Sequence, residues 1–257
     1  MGFYEFFSGG GMARIGLGSG WPCLFANDFD PNKAAAYRAF FGPSLELRGD
    51  SITDLETSDL PGHADLAWAS FPCQDLSLAG NYAGLKGERS GLFWAFWRLM
   101  QGLRVEGRAP RMIVLENVRG MITSHQGRDF AAVCESLAQE GYRYAPLLVD
   151  AQLFLPQSRP RLFVVAFGPD ARPDSSMVGN GPTAPWHPNS FAYAYDRLSS
   201  KAKAAWLWLA PSRPTVKPVK LSDLIEDTPT SVRWHTAFET KRILDLMSPL
   251  HLEKVKK

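Results

Sequence analysis

Along the first 170 residues, short apolar runs alternate with stretches whose apolar positions recur at helical spacing. The short runs predict strands over Phe3–Phe7, Cys23–Asn27, Ala64–Ala69, Met112–Glu116, Arg143–Asp150 and Leu162–Phe167. The periodic stretches predict helices over Met12–Gly18, Asn32–Phe41, Gly91–Leu103 and Gly127–Glu140. Strands separated by helices predict an α/β fold, a doubly wound parallel sheet with a Rossmann-like order of elements. The pattern changes after Phe167. Residues 168–190, GPDARPDSSMVGNGPTAPWHPNS, are rich in Pro, Gly and Ser and read as a linker over 169–190. Beyond it, Ala192–Leu209 predicts one helix, 211–220 an extended segment, 221–227 a short helix entered at Ser222, and Thr236–Met247 a last amphipathic helix. The chain thus divides into a body (1–168), a linker (169–190) and an irregular remainder (191–257). No internal repeat is found.

Composition narrows the class. In 257 residues, 45% are hydrophobic and 21% charged, which excludes a disordered or fibrous chain. Residues 1–170 carry 15 Lys/Arg against 18 Asp/Glu, a balance of −3, and residues 171–257 carry 13 against 8, a balance of +5. A basic remainder on an acidic body permits a polyanionic partner, and a solvated mixed-charge surface accounts for it as well. Cys23, Cys73 and Cys134 are widely spaced, which argues against a disulfide framework and a cysteine-rich zinc site, so no metal is expected. No apolar run approaches the roughly 18 residues of a membrane span, and the N-terminal residues lack a signal-peptide pattern. The expectation is a soluble, cytoplasmic monomer in a reducing compartment.

Five segments carry candidate chemistry. EFFSGGGMARIGLG (5–18) runs from a strand through three glycines into a helix. Such a turn lets a ligand approach the backbone, though it also occurs as a purely structural turn. FANDFD (25–30) ends the second strand, where an acidic residue, Asp28, is placed to hold ribose hydroxyls and Phe29 to stack on a purine. FPCQDLSLAG (71–80) follows a strand at the sheet's carboxyl edge. Cys73 there, in a Pro-flanked loop, is badly placed to fill a core, unlike Cys23 and Cys134. MIVLENV (112–118) delivers Glu116 and Asn117 at a strand end, for an acid–base role or as a surface carboxylate. LPQSRPRLFVVAFG (155–168) places Arg159 and Arg161 two residues apart, so they share a side if extended and can converge on an anion or a carbonyl-rich group.

Taken in order, FSGGGMARIG, ANDFD, GDSIT, FPCQDLSLAG, ENV and QSRPRLF resemble the DNA (cytosine-5)-methyltransferase family, motif by motif, across residues 3–168. The resemblance implies an S-adenosylmethionine-binding catalytic domain over 1–168. It also implies double-stranded DNA as partner, a flipped cytosine as target, and the restriction-modification setting of many members. Its donor-binding residues fall on Phe7, Ser8, Gly9, Gly10, Gly11, Met12, Asp28, Phe29, Asp50, Ile52 and Pro72. The family's glycine motif usually ends in two glycines, and here the second is Met12. Its catalytic residues fall on Cys73, which attacks C6 of the cytosine, and on Glu116 at ring N3. Asn117 sets the glutamate loop, Arg159 and Arg161 lie near the cytosine carbonyl, phosphate or thiolate, and Gln74 and Ser77 follow the cysteine. Residues Asp75–Arg89 resemble the family's closing catalytic loop.

The family's closing motif, near GNSV or GDGVAV, is not found in this sequence. Residues 191–257 are therefore read as a partial target-recognition region, with a complementary C-terminal polypeptide as a further partner. Trp206 and Trp208 fit helix packing better than DNA contact. The alternatives are an RNA (tRNA) cytosine-5 methyltransferase, and an inactive fragment or half of a split enzyme that binds donor or DNA only. A nicotinamide-dependent dehydrogenase gives PCQ and ENV no role.

Overall fold

The computed structural model describes residues 1–72, 91–215 and 219–255. In chain order the regular elements are β1 (Phe3–Phe6), α1 (Met12–Leu17), β2 (Cys23–Asn27), α2 (Pro31–Phe41), β3 (Leu47–Arg48), β4 (Leu66–Ala69), α3 (Leu92–Val105), β5 (Met112–Val118), α4 (Arg128–Gln139), β6 (Arg143–Asp150), β7 (Pro160–Phe167), β8 (Val178–Gly179), α5 (Asn189–Asp196), α6 (Ser200–Ala205), β9 (Trp208–Leu209), α7 (Ala237–Asp245) and α8 (Pro249–Val255). They fall into two units, Met1–Pro218 and Val219–Lys257.

The first unit is built on a seven-stranded sheet of order β3-β2-β1-β4-β5-β7-β6. Strands β1, β4 and β5 lie in the middle with both faces covered, which is why their sequences read as nearly unbroken apolar runs. The pairs β1–β2, β1–β4, β2–β3 and β4–β5 are parallel. This is the doubly wound sheet the alternation predicts, with one departure. Strand β7 runs antiparallel to both β5 and β6. Residues 151–159 join β6 to β7 directly, whereas a parallel return needs a crossover of a dozen or more residues, usually a helix. Strand β3 was not foreseen, because two residues show no period.

One face of the sheet packs against α3, which buries Phe93, Phe96, Trp97, Leu99 and Leu103, and against α4, which buries Phe130, Val133, Cys134 and Leu137. Asp30 caps α2 by accepting from the Asn32 and Lys33 amides, and Pro31 occupies the first helical position.

The single helix expected over Ala192–Leu209 is instead two helices and a short strand. The Ser199 hydroxyl accepts from the Ala202 amide and starts a new helix, α6, so the periodic pattern is interrupted at 197–199. Trp206 then turns extended and bridges Tyr144 on β6. The Leu207 amide donates to Tyr144 O at 2.8 Å and the Leu148 amide to Trp186 O at 2.9 Å, so this segment covers the outer edge of β6. Trp206 is buried against Phe130, Tyr144, Phe191, Tyr195 and Trp208, which bears out packing.

The second unit holds a 3-10 turn at Leu221–Leu224 followed by α7 and α8. Thr236 and Glu239 form a reciprocal cap at the start of α7. None of the unit's described residues is buried. Among the described residues no helix is long and apolar enough to cross a membrane.

Candidate active site

Strands β1, β2, β4 and β5 end on one edge of the sheet, and the candidate residues gather in the turns that follow them. After β1 the backbone coils tightly. Phe7 takes φ +57°, Gly9 φ +55° and Gly11 φ +79°. A left-handed phenylalanine is a strained position, and such strain concentrates at ligand sites. Gly11 is there for space as well as for its dihedral. A methyl group on it would lie 2.9 Å from Tyr37 and closer still to Phe41. Gly9 and Gly10 face open space. Met12 begins α1 and is exposed, so its departure from the two-glycine pattern leaves the turn intact.

Asp28 is buried beneath this turn. Its Oδ2 accepts from the Gly9 amide at 2.9 Å and its Oδ1 from the Asp30 amide at 3.0 Å, with Lys33 Nζ 3.8 Å from Oδ2. Asn27 donates to Arg48 O and Asp50 O and so fixes the next turn. Phe7, Asn27, Phe29, Ser51, Ile52 and Leu92 are among the residues that line a pocket of about 320 Å³. Phe29 is 65% exposed, which leaves a ring face for stacking. Asp50 is exposed and paired with Arg48 at 2.8 Å. Ser8 Oγ is buried with no hydrogen-bond partner among the described residues, beside the open Gly9–Gly10 backbone. An orphaned hydroxyl, free backbone and an aromatic-walled pocket together fit a nucleoside-bearing ligand with a polar tail.

The sequence reading missed Glu5. It lies in β1, 1% exposed, with Oε1 accepting from the Arg14 amide and Oε2 unpartnered among the described residues. Arg14 is itself tied to Tyr37 at 2.8 Å and Glu46 at 2.5 Å, so the glycine turn is braced from behind. The available signal was an acidic residue inside an apolar strand. Burial pushes the Glu5 carboxyl up from 4.5 to about 7, against the Arg14 and Ala13 amides, which lower it. The folded protein therefore keeps a proton there that the unfolded chain releases. Stability from this group is present at acidic pH and lost as pH rises from about 4.5 to about 7. Glu5→Gln should flatten that slope. The wild type loses on the order of 2 kcal/mol more than the variant between pH 5 and pH 8, measured by denaturant midpoints.

At the end of β5, Glu116 and Asn117 point to opposite faces and grip the two consecutive residues that follow β4. Glu116 Oε2 accepts from Ser70 Oγ at 2.8 Å, and Asn117 Nδ2 donates to Phe71 O at 2.9 Å. Asn117, 6% exposed, thus pins the backbone two residues before Cys73, and its Oδ1 accepts from the Val118 amide on the glutamate's own segment. Phe71 is buried against Phe93, and Pro72 is exposed beside it. Cys73, Gln74, Ser77 and the loop Asp75–Arg89 lie outside the described residues.

Arg161 lies in β7 opposite Val118, and its Nη1 donates to Pro160 O at 2.9 Å. Arg159 precedes the strand and is exposed. Its amide donates to Asp150 Oδ1 at 2.8 Å. Asp150, also unforeseen, brackets this connection. The Gln152 amide, then the Arg159 amide and the Ser158 hydroxyl, hold its carboxyl below the ordinary range.

A family model for C-5 cytosine-specific DNA methylase matches residues 1–244. The chain is 34% identical to Type II methyltransferase M.BsuFI of Bacillus subtilis over 65% of its own length and 39% of that protein's. It is 34% identical to Type II methyltransferase M.NgoBI of Neisseria gonorrhoeae over 63% of its own length and 49% of that protein's. The chain thus spans half or less of the length of these relatives. In structure it is similar to S. pombe Dnmt2 methyltransferase, with a TM-score of 0.55 at 21% identity, covering 68% of this chain and 52% of that one. It is also similar to the Entamoeba histolytica methyltransferase EhMeth, with a TM-score of 0.51 at 18% identity, covering 71% and 61%. At these identities the structural likeness speaks for the fold.

Proposed function

The chain belongs to the C-5 cytosine-specific DNA methylase family, and from that premise we propose that it transfers a methyl group from S-adenosylmethionine to C5 of a cytosine flipped out of duplex DNA. The observation that carries the reading is the double grip of Glu116 on Ser70 and of Asn117 on Phe71. It ties a carboxylate to the backbone that leads directly into Cys73.

The donor supplies an electrophilic methyl on a sulfonium. Phe7, Phe29, Ile52 and Leu92, which line the pocket, would take its adenosine, and Ser8 with the open Gly9–Gly10 backbone its polar tail. Asp28, with both oxygens engaged by the Gly9 and Asp30 amides, shapes this site from beneath.

Cytosine C5 is a weak nucleophile until C6 is attacked. The Cys73 thiolate forms a bond to C6, and the ring electrons pass toward C5 and N3. Glu116 holds the proton at N3 that neutralises the developing charge. Carbon C5 then takes the methyl as the sulfonium S–CH3 bond breaks, its electron pair staying on sulfur to leave a neutral thioether. Transfer of the C5 proton to water and breaking of the S–C6 bond restore the aromatic ring and the thiolate. Arg161 and Arg159 serve the cytosine carbonyl and the flanking phosphate. Flipping costs a few kcal/mol, which contacts to the flipped nucleotide and the DNA backbone must offset.

The test is transfer of labelled methyl to unmethylated duplex DNA, with a folded transfer-RNA substrate in parallel, followed by nucleoside analysis. Label in 5-methyldeoxycytidine is expected. Label confined to RNA overturns the DNA assignment. Label on another atom of cytosine overturns the C5 chemistry, and no label in either substrate overturns methyl transfer by this chain.

A further inference from the structure

We propose that Ser70 is a positioning residue for Glu116: its hydroxyl, oriented by the Trp68 indole, holds one carboxylate oxygen and leaves the other for the pyrimidine. The proposal rests on the assignment of Glu116 to the cytosine ring.

The direction of each hydrogen bond follows from the donor inventory. Trp68 Nε1 lies 3.0 Å from Ser70 Oγ, and an indole nitrogen can only donate. Ser70 Oγ therefore accepts from Trp68, which turns its single proton toward Glu116 Oε2 at 2.8 Å. A serine hydroxyl normally rotates among partners. Here the indole removes that freedom and makes the serine a fixed donor to the carboxylate, the stronger kind of hydrogen bond.

The strands hold the three groups in place. Trp68 lies within β4 and Ser70 directly follows it, and the period of two sends both side chains to one face. Trp68 is in register with Val114, two residues before Glu116 on β5. On the far side of β5, Glu116 is paired with Phe163 of β7, whose ring sits edge-on to Trp68 at 6.0 Å. The glutamate is thus flanked by an indole–hydroxyl pair on one neighbouring strand and a phenyl ring on the other. No described residue donates to its Oε1, which is the oxygen this arrangement leaves for N3.

Charged groups on this face include Arg143 on β6, in register with Phe167, and Arg14, whose amide donates to Glu5. Glu5 on β1 is in register with Trp68, and Arg161 lies two residues from Phe163 on β7. A Glu5→Gln background removes that carboxyl from any titration, and a guanidinium does not titrate in proteins.

The test uses the full chain labelled with 15N-tryptophan in the Glu5→Gln background, with the Trp68 indole resonance assigned by Trp68→Phe. The Trp68 indole shift is expected to follow the ionisation of Glu116. That titration disappears in Glu116→Gln and in Ser70→Ala, while the other indole resonances keep their positions. A Trp68 resonance that does not titrate in the parent protein, or titrates unchanged in Ser70→Ala, overturns the proposal. This readout needs no methyl transfer, so a wild type without activity counts against the function and not against the positioning role. With an active wild type, Ser70→Ala is expected to lower kcat about 10- to 100-fold, the worth of one hydrogen bond to a charged group, with KM for the donor unchanged. A loss confined to KM overturns the proposal.

Discussion

Replacing Cys73 by alanine is expected to bring methyl transfer to the level of a protein-free control, a loss on the order of 10³-fold or more. The expectation rests on elimination as well as on placement. The chain has three cysteines. Cys23 is packed behind the glycine turn, where burial pushes its thiol up to about 11. Cys134 is fully buried on α4, and burial pushes its thiol higher still. Neither is a thiolate at neutral pH, and neither opens onto the edge that carries Glu116. Cys73 follows Phe71 and Pro72, and the Phe71 carbonyl is held by Asn117, so the chain departs toward Cys73 from a rigid anchor.

The measurement is labelled methyl in 5-methyldeoxycytidine, together with equilibrium binding of the donor to show that Cys73→Ala keeps the cofactor site. Incorporation that survives the substitution removes the covalent step from the mechanism. Loss of donor binding in the variant would show instead that Cys73 serves the cofactor pocket.

The second large effect is expected at Gly11. Alanine there meets two penalties at once. A left-handed non-glycine residue costs about 1–2 kcal/mol, and a methyl driven against the Tyr37 and Phe41 rings adds about 1–3 kcal/mol of overpacking. Gly11→Ala should therefore lose about 2–5 kcal/mol of stability by denaturant unfolding and bind the donor at least tenfold more weakly. Gly10→Ala is the contrasting variant. Its methyl group would meet nothing within 4 Å. It should unfold with the wild type while losing donor affinity, because the methyl occupies space that the ligand's polar tail takes. If Gly11→Ala unfolds at the wild-type midpoint, the steric reading of the turn is wrong. If Gly10→Ala binds donor normally, the donor does not cross that backbone.

The sheet and the site were legible in the sequence to different depths. Phe3–Phe7 and Met112–Glu116 are apolar enough to be read as strands, and the glycines after Phe7 mark the turn, because period and turn chemistry act over a few residues. Asp28 was found from its position after a strand. Its partner was not, because Gly9 lies 19 residues earlier and meets it only when β1 and β2 pair. Glu116 and Asn117 were found as polar residues emerging from an apolar run. What they grip, Ser70 and Phe71, lies 46 residues away. Glu5, Ser70 and Asp150 were passed over because each acquires its role from a neighbour that only folding supplies.

The sequence by itself determined the alternation of strand and helix, the glycine turn after the first strand and the strand ends at which polar side chains emerge, since each depends on local periodicity, local turn chemistry or local polarity. Only the tertiary structure decided that β7 lies antiparallel between β5 and β6, that Trp206 and Trp208 fold back over β6, and that the Glu116 carboxylate is held by a hydroxyl just past the neighbouring strand. Pairing brings distant segments within hydrogen-bond reach, and burial then makes each unmatched polar atom costly enough to select its partner.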